Sequence, residues 1–299
     1  MKRFVYFILF VIVGIVILDL LNRVVYSVAF SHVPKYSEVN VRYKYQLNEK
    51  HANLIVLGAS RAQFNYVPEI FQEKLGFTSY NYGMEGSSII GQYLCLTKAI
   101  ELGKVDVVLL DLSNSQLQEG WIVDRISSYN NYYWMNDSVK SAVDEIMGRK
   151  SIMLLSSLYQ FNSHAHDFLW LYADKRKDIN GYVPLPYTGS AIHIPNSSKS
   201  EKFVVYPLGE KYLDKICQLC KLNGIKLFIC KSPSLLTDQS FDEYLSWYCK
   251  YRSVQFINLS NCDAVNRDSR LYKDVTHLND RGARIFTAEL CDSLYTYKM

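Results

Sequence analysis

Apolar and polar positions alternate along this chain in three different ways. The first is continuous. Phe4 to Leu18 carries no charge, Met1-Lys2-Arg3 precedes it, and Asp19-Leu20-Leu21-Asn22-Arg23 follows. An apolar core of about 15 residues, about 18 with the flanking leucines, lies at the lower limit for crossing a bilayer. The second pattern is short apolar runs separated by segments of helical spacing. Leu54 to Gly58 reads as a buried strand, Pro68 to Leu75 as a helix, Ser79 to Tyr82 as a short strand and 88 to 102 as a helix. Val105 to Leu112 is again strand-like. The order resumes with a helix at 208–222, a strand at 225–230, a helix at 241–251, a strand at 254–259 and a helix at 280–294. In the last helix Ala283, Phe286, Leu290 and Leu294 share a face, and Asn279 or Asp280 is a fitting N-cap.

Strands that are apolar throughout and alternate with helices predict an α/β fold, a parallel sheet covered on both faces. The third pattern, from about 116 to 205, breaks the alternation. It holds Tyr129, Tyr132, Tyr133, Trp134, Trp170, Tyr172, Tyr182 and Tyr187; 151–172 reads as helical and 178–200 as loop. It reads as a large insertion into the α/β domain, either shaping a substrate cleft or elaborating the structure without touching ligand. The expected organisation is an anchor over 1–23, a linker over 24–50, and one domain over 51–299 carrying the insertion.

Lys2 and Arg3 ahead of the apolar run would keep the N-terminus cytoplasmic and export the remainder, periplasmic or lumenal. A signal peptide cleaved near Ser27-Val28-Ala29 is the competing reading. A buried soluble helix is the third. Among 299 residues the formal net charge is only +4 and basic residues are scattered, which argues against nucleic-acid binding. Seven cysteines leave at least one unpaired within the chain. Cys217-x-x-Cys220 sits in a helical pattern without a strand-linked redox context, so a thiol-redox role is a weaker alternative. His51, His164, His166 and His193 lack a metal-ligand pattern beyond the pair His164-x-His166, and no metal or cofactor is expected.

Two short motifs carry the candidate chemistry. Gly58-Ala59-Ser60 closes the first apolar strand, and Asp274-Val275-Thr276-His277 precedes the last helix. A serine hydroxyl needs a base to become a nucleophile, and an imidazole oriented by a carboxylate is such a base. Ser60, the Gly83–Gly86 turn and Asn114 all follow strand ends, where parallel sheets place ligands. The Ser60 and Gly86 backbone N–H groups and the Asn114 amide would supply three donors to an oxyanion. Asn81 reads as a loop tie, and Arg61 as either a contact for an anionic substrate group or an ion-pair residue.

In this order the motifs resemble the SGNH, or GDSL-like, hydrolase superfamily. Gly58-Ala59-Ser60 is similar to its nucleophile block, and Asn81-Tyr82-Gly83-Met84-Glu85-Gly86 to its second block. Val107 to Asn114 is similar to its third block and Asp274-x-x-His277 to its last. The resemblance covers roughly 53–115 and 205–295. It implies a three-layer α/β/α fold with a flavodoxin-like parallel sheet, a catalytic triad of Ser60, His277 and Asp274, and oxyanion donors at Ser60, Gly86 and Asn114. Ala59 stands where the family has a polar residue. Leu112-Ser113-Asn114-Ser115 stands where it has Gly-x-Asn-Asp, so the glycine and aspartate are missing. The implied activity is an O-acyl esterase or O-acyltransferase acting on cell-envelope glycans or a small ester, with a membrane-bound acyltransferase as a further partner. The degraded third block leaves open a weakly catalytic scaffold that binds a glycan or that partner.

Overall fold

A computed structural model describes residues 1–31, 52–161 except 104 and 135, 179–187, 192, and 202–297 except 267. His51, His164, His166, His193, Trp170 and Tyr172 lie outside the described residues, as do most of the expected linker and of the 178–200 loop. By its internal contacts the chain divides into two compact units, Met1–Arg42 with Ile126–Lys175, and Tyr43–Arg125 with Arg176–Met299. The sequence reads one domain with an insertion at about 116–205; the contacts group the middle of that segment with the N-terminal helix.

The strands are β1 (Leu54–Leu57), β2 (Ser79–Asn81), β3 (Val107–Asp111), β4 (Lys226–Lys231) and β5 (Gln255–Asn258). The helices up to the break are α1 (Lys2–Ser31), α2 (Ser60–Asn65), α3 (Pro68–Leu75), α4 (Ile89–Leu102) and α5 (Glu119–Ile126). They continue with α6 (Asp137–Met147), α7 (Ser157–Phe161), α8 (Pro207–Leu222), α9 (Gln239–Arg252), α10 (Asp263–Asn266) and α11 (Asp280–Thr296).

In the larger unit all strand pairs are parallel and the order is β2-β1-β3-β4-β5. This is the flavodoxin-like order, with its reversal between β1 and β3. Strand alternation sends Leu54, Val56, Val107, Leu109, Phe228, Cys230 and Ile257 to one face. There they meet Ala62 of α2, Tyr66 just after it, Phe71 of α3, and Ala283, Phe286, Leu290 and Leu294 of α11. Phe286 is 1% exposed, and truncating such a side chain to alanine costs about 3–5 kcal/mol. The intervening residues Ile55, Leu57, Val108, Leu110 and Ile229 are equally buried on the other face, which α4 and α8 cover. The result is three layers, α/β/α.

Local signals set the helix ends. Pro68 opens α3, and Gly76 closes it at φ +74° with its N–H on the Gln72 carbonyl. Asn279 caps α11 by accepting from the Gly282 N–H at 3.1 Å. Asp238 caps α9 through the Phe241 N–H at 3.2 Å.

In the smaller unit α1 runs on through Ser31, beyond the expected end at 23, because Val24, Val25 and Val28 extend the apolar surface without a breaker. It is long and apolar enough to span a membrane, and its apolar window is 0% buried, unlike a core helix. Of the expected helical stretch 151–172, residues 162–172 lie outside the described residues; before them a 3₁₀ segment, Gly148–Leu155, is followed by an extended Ser156 and then by α7. The hydroxyls of Ser156 and Ser157 leave the helical pattern to bind Asp19: Ser156 Oγ donates to Asp19 Oδ1 at 2.7 Å, and Ser157 Oγ donates to the Asp19 carbonyl. Tyr129, Tyr132 and Tyr133 are buried, as is Tyr182 of the larger unit, while Trp134 and Tyr187 are exposed.

Candidate active site

Three segments at the carboxyl end of the sheet build the site. β1 ends at Leu57, Gly58 makes the turn, and Ser60 opens α2. Gly58 stands at φ +150°, and a Cβ there would lie 2.6 Å from Ala62 Cβ and 2.8 Å from the Asp111 carbonyl oxygen. Only glycine lets this turn lie against the end of β3, and that contact fixes where Ser60 emerges.

The second segment follows β2. Asn81 donates from Nδ2 to the Ala62 and Tyr66 carbonyls at 2.7 and 2.8 Å, and accepts from the Gly83 N–H at 2.8 Å. It is the tie for this loop. The Met84 N–H reaches the Gly58 carbonyl at 3.1 Å, and the Glu85 N–H reaches Gln63 Oε1 at 2.7 Å. A Cβ on Gly83 would lie 2.4 Å from the Gln63 nitrogen, so backbone meets backbone directly behind the Ser60 helix. Gly86 adopts φ +76°.

The third segment precedes α11. His277 Nε2 lies 2.8 Å from Ser60 Oγ. Its Nδ1 lies 2.9 Å from Asp274 Oδ2 and 3.0 Å from Oδ1. Asp274 Oδ1 also accepts from the Thr276 N–H at 2.8 Å, the Thr276 hydroxyl at 3.0 Å and the His277 N–H at 3.0 Å. Burial works against the Asp274 charge, but the His277 and Thr276 hydrogen bonds outweigh it and hold the carboxyl well below the usual carboxylate range. Phe64 packs edge-on to the imidazole at 5.4 Å between ring centres. The loop is held from two sides: Asn65 Oδ1 accepts from the Leu278 N–H at 3.1 Å, and the Leu235 N–H donates to the Val275 carbonyl at 2.9 Å.

Ser60, His277 and Asp274, expected from sequence as one constellation, are therefore joined by hydrogen bonds across 217 residues of chain. Two other candidate site residues have partners within the fold. Arg61 turns inward as an ion-pair residue, one of its two expected readings. It is 9% exposed, donates to the Leu112 carbonyl at 2.6 Å and pairs with buried Asp111 at 3.5 Å. Asp111 further accepts from the Tyr66 hydroxyl at 2.7 Å and the Ser232 N–H at 3.0 Å, so this is an internal network under the site. Asn114 donates from Nδ2 to Asp238 Oδ2 at 2.6 Å, and one of its two amide hydrogens is thus taken up outside the triad. The physical reason is the partner: Asp238 sits at the α9 N-terminus with an oxygen facing Asn114.

Sequence reasoning did not single out Asn65, Thr276 or Phe64, whose roles depend on contacts made in the folded chain. It also missed Trp121 and Arg125. Trp121 Nε1 donates to the Ser87 carbonyl at 3.2 Å, next to the Gly86 turn. The Arg125 guanidinium lies 4.8 Å over the Trp121 ring, and a Cβ on Gly86 would stand 3.3 Å from Arg125 Nη1. A cation and an aromatic face thus border the second-block loop.

No family model matches the chain. No curated protein is significantly similar to it. Among solved structures it is similar to a Streptococcus pneumonia protein assigned provisionally as a platelet activating factor, at 12% identity and TM-score 0.42, over 86% of this chain and 91% of that one. It is also similar to a Desulfitobacterium hafniense DCB-2 protein assigned provisionally to the lipolytic G-D-S-L family, at 9% identity and TM-score 0.42, over 80% of this chain and 98% of that one. Identity and superposition are both low, and the chemistry of the site is read from its own atoms.

Proposed function

We propose that this protein is a serine-dependent O-acyl esterase or O-acyltransferase of SGNH type, held at a membrane by α1 with its main domain extracytoplasmic. The observation that carries the reading is the unbroken relay Ser60 Oγ, His277 Nε2, His277 Nδ1, Asp274 at 2.8 and 2.9 Å. His277 Nε2 takes the Ser60 proton as Oγ attacks the ester carbonyl carbon, and Asp274 stabilises the resulting imidazolium. The tetrahedral oxyanion is met by the Ser60 and Gly86 N–H groups, with the remaining Asn114 hydrogen as a third donor. Collapse expels the alkoxide, which takes the proton from His277, and leaves the acyl group on Ser60. Water as the second nucleophile makes a deacylase; a sugar hydroxyl makes a transferase. A glycan acceptor follows from the family resemblance and the membrane helix. The buried tyrosines add nothing to it, whereas Trp121 beside Gly86 offers an aromatic face at the right loop.

The test is fluorophosphonate labelling of the full chain in detergent, with Ser60→Ala and His277→Ala alongside. Labelling of the wild type that disappears in both variants supports the esterase reading. Labelling that survives Ser60→Ala removes Ser60 as the nucleophile. The bond from Asn114 to Asp238 favours one second reading, a scaffold with little turnover that binds a glycan or a membrane-bound acyltransferase. It predicts that the wild type does not label.

A further inference from the structure

The geometry points to a second membrane contact: residues 148–159 form a lipid-facing apron beside the N-terminal helix. This rests on α1 being a membrane span and goes beyond the activity proposed for Ser60. Along α1 the residues before Asp19 are bare. At 1.5 Å per residue the uncharged run Phe4–Leu18 measures about 22 Å, and Leu20 and Leu21 carry the apolar surface on toward the hydrocarbon thickness of about 30 Å. One stripe, Asp19, Asn22 and Tyr26, is then partly or fully covered, while Leu20, Leu21, Val24, Val25 and Val28 on the other faces stay 56–66% exposed. Residues 155–158 cover Asp19 and Asn22 of that stripe. Asp19 Oδ1 accepts from Ser156 Oγ at 2.7 Å and from the Leu158 N–H at 3.1 Å. Asn22 Nδ2 donates to Ser157 Oγ at 3.3 Å, and Arg23 donates to the Leu155 carbonyl at 2.9 Å.

These bonds set the depth of the apron. A segment bonded to residues 19–23 of a membrane helix lies where hydrocarbon gives way to headgroups. The same segment carries five exposed apolar side chains: Ile152 (68%), Met153 (49%), Leu155 (56%), Leu158 (42%) and Tyr159 (44%). Arg149 and Lys150 are exposed just before them. Apolar anchors, a tyrosine and two flanking cations are what an interfacial segment presents to acyl chains and anionic headgroups. Its hydrogen bonds to residues 19–23 seat this apolar segment beside a helix read as a membrane span, which makes the occupant lipid and not a second copy of the chain. The polar stripe of α1 is at the same time removed from lipid by hydrogen bonds inside the protein, as a bilayer demands.

The experiment uses the full chain in vesicles of phosphatidylcholine and phosphatidylglycerol, with acyl chains brominated or not. Ile152→Trp and Met153→Trp are compared with Phe10→Trp on α1, each after subtracting wild-type emission. The added emission at 152 and 153 should fall about twofold or more in brominated vesicles, as an acyl-chain contact requires. Quenching at Phe10→Trp without quenching at either apron position overturns the proposal and leaves the anchor standing. Self-association that hides the apron from brominated lipid overturns it equally. No quenching at Phe10→Trp overturns the membrane span and the apron with it, and leaves the Ser60 chemistry to its own labelling test.

Discussion

Asp274 shows how a half-exposed carboxylate can still be well defined. Its side chain is 48% exposed, yet one oxygen collects two backbone N–H bonds and a hydroxyl besides the imidazole. Asp274→Asn keeps the shape but can hold the wrong imidazole tautomer, so ester turnover should fall by about 10²–10⁴, read as kcat with KM little changed. Because this carboxyl is held well below the usual carboxylate range, it keeps the charge that orients the imidazole. The stability linked to Asp274 behaves separately. A depressed folded-state value contributes stability that is complete above the ordinary value of 3.8 and is lost as pH falls below it. Asn114 supplies a sharper test: as an oxyanion donor, Asn114→Ala costs about 10²–10³ in kcat. With the amide engaged only by Asp238 the expected loss is under about tenfold, and kcat of that variant separates the two roles.

At the scale of elements, the site depends on how closely β1–α2 and the loop after β2 are pressed together. Gly83→Ala puts a methyl 2.4 Å from the Gln63 nitrogen, where neither backbone can yield cheaply. The expected outcome is a loss of about 1–3 kcal/mol with reduced fluorophosphonate labelling, followed by chemical denaturation and labelling rate together. At the other edge Lys231, 4% exposed at the end of β4, forms an ion pair with Asp242 of α9. Removing the acid strands a buried ammonium. Asp242→Asn should cost about 3 kcal/mol, at the low end of the range for buried pairs because Asp242 remains 26% exposed. A denaturant midpoint shift at unchanged slope would check it.

Across the whole molecule, all seven cysteines are free thiols, and six of them are buried. Burial pushes the Cys220, Cys249 and Cys291 thiols up to about 12, and Cys217 is raised by the same cause. A redox pair needs a lowered thiol pKa, so Cys217 and Cys220 read as core residues. Native protein should react slowly with a thiol reagent that titrates seven groups once the chain is denatured, measured by absorbance or intact mass. Of the two compact units, the larger contains Ser60, His277 and Asp274, the smaller the N-terminal helix and the segment bonded to it.

The larger unit was legible because its signals are local. Apolar runs of four to six residues, Pro68, Gly76, the Asn279 cap and the Ala283-Phe286-Leu290-Leu294 face each act within a few residues of themselves. The class of fold and the members of the Ser60–His277–Asp274 set follow from them. What the tertiary structure alone decided is how side chains far apart in sequence are satisfied. Arg61 could read as a substrate contact until Asp111, 50 residues on, claimed it, and Asn114 as a free donor until Asp238 faced it. The tyrosines of 129–133 could read as a surface until the fold buried them. Asp19 could read only as an interruption of an apolar helix until Ser156 and Ser157, some 137 residues away, supplied its hydrogen bonds. Periodicity reports which side of an element is apolar. It carries no information about which distant group will neutralise a charge or fill a hydrogen bond, because that depends on the packing of elements whose separation in sequence leaves no mark in either one.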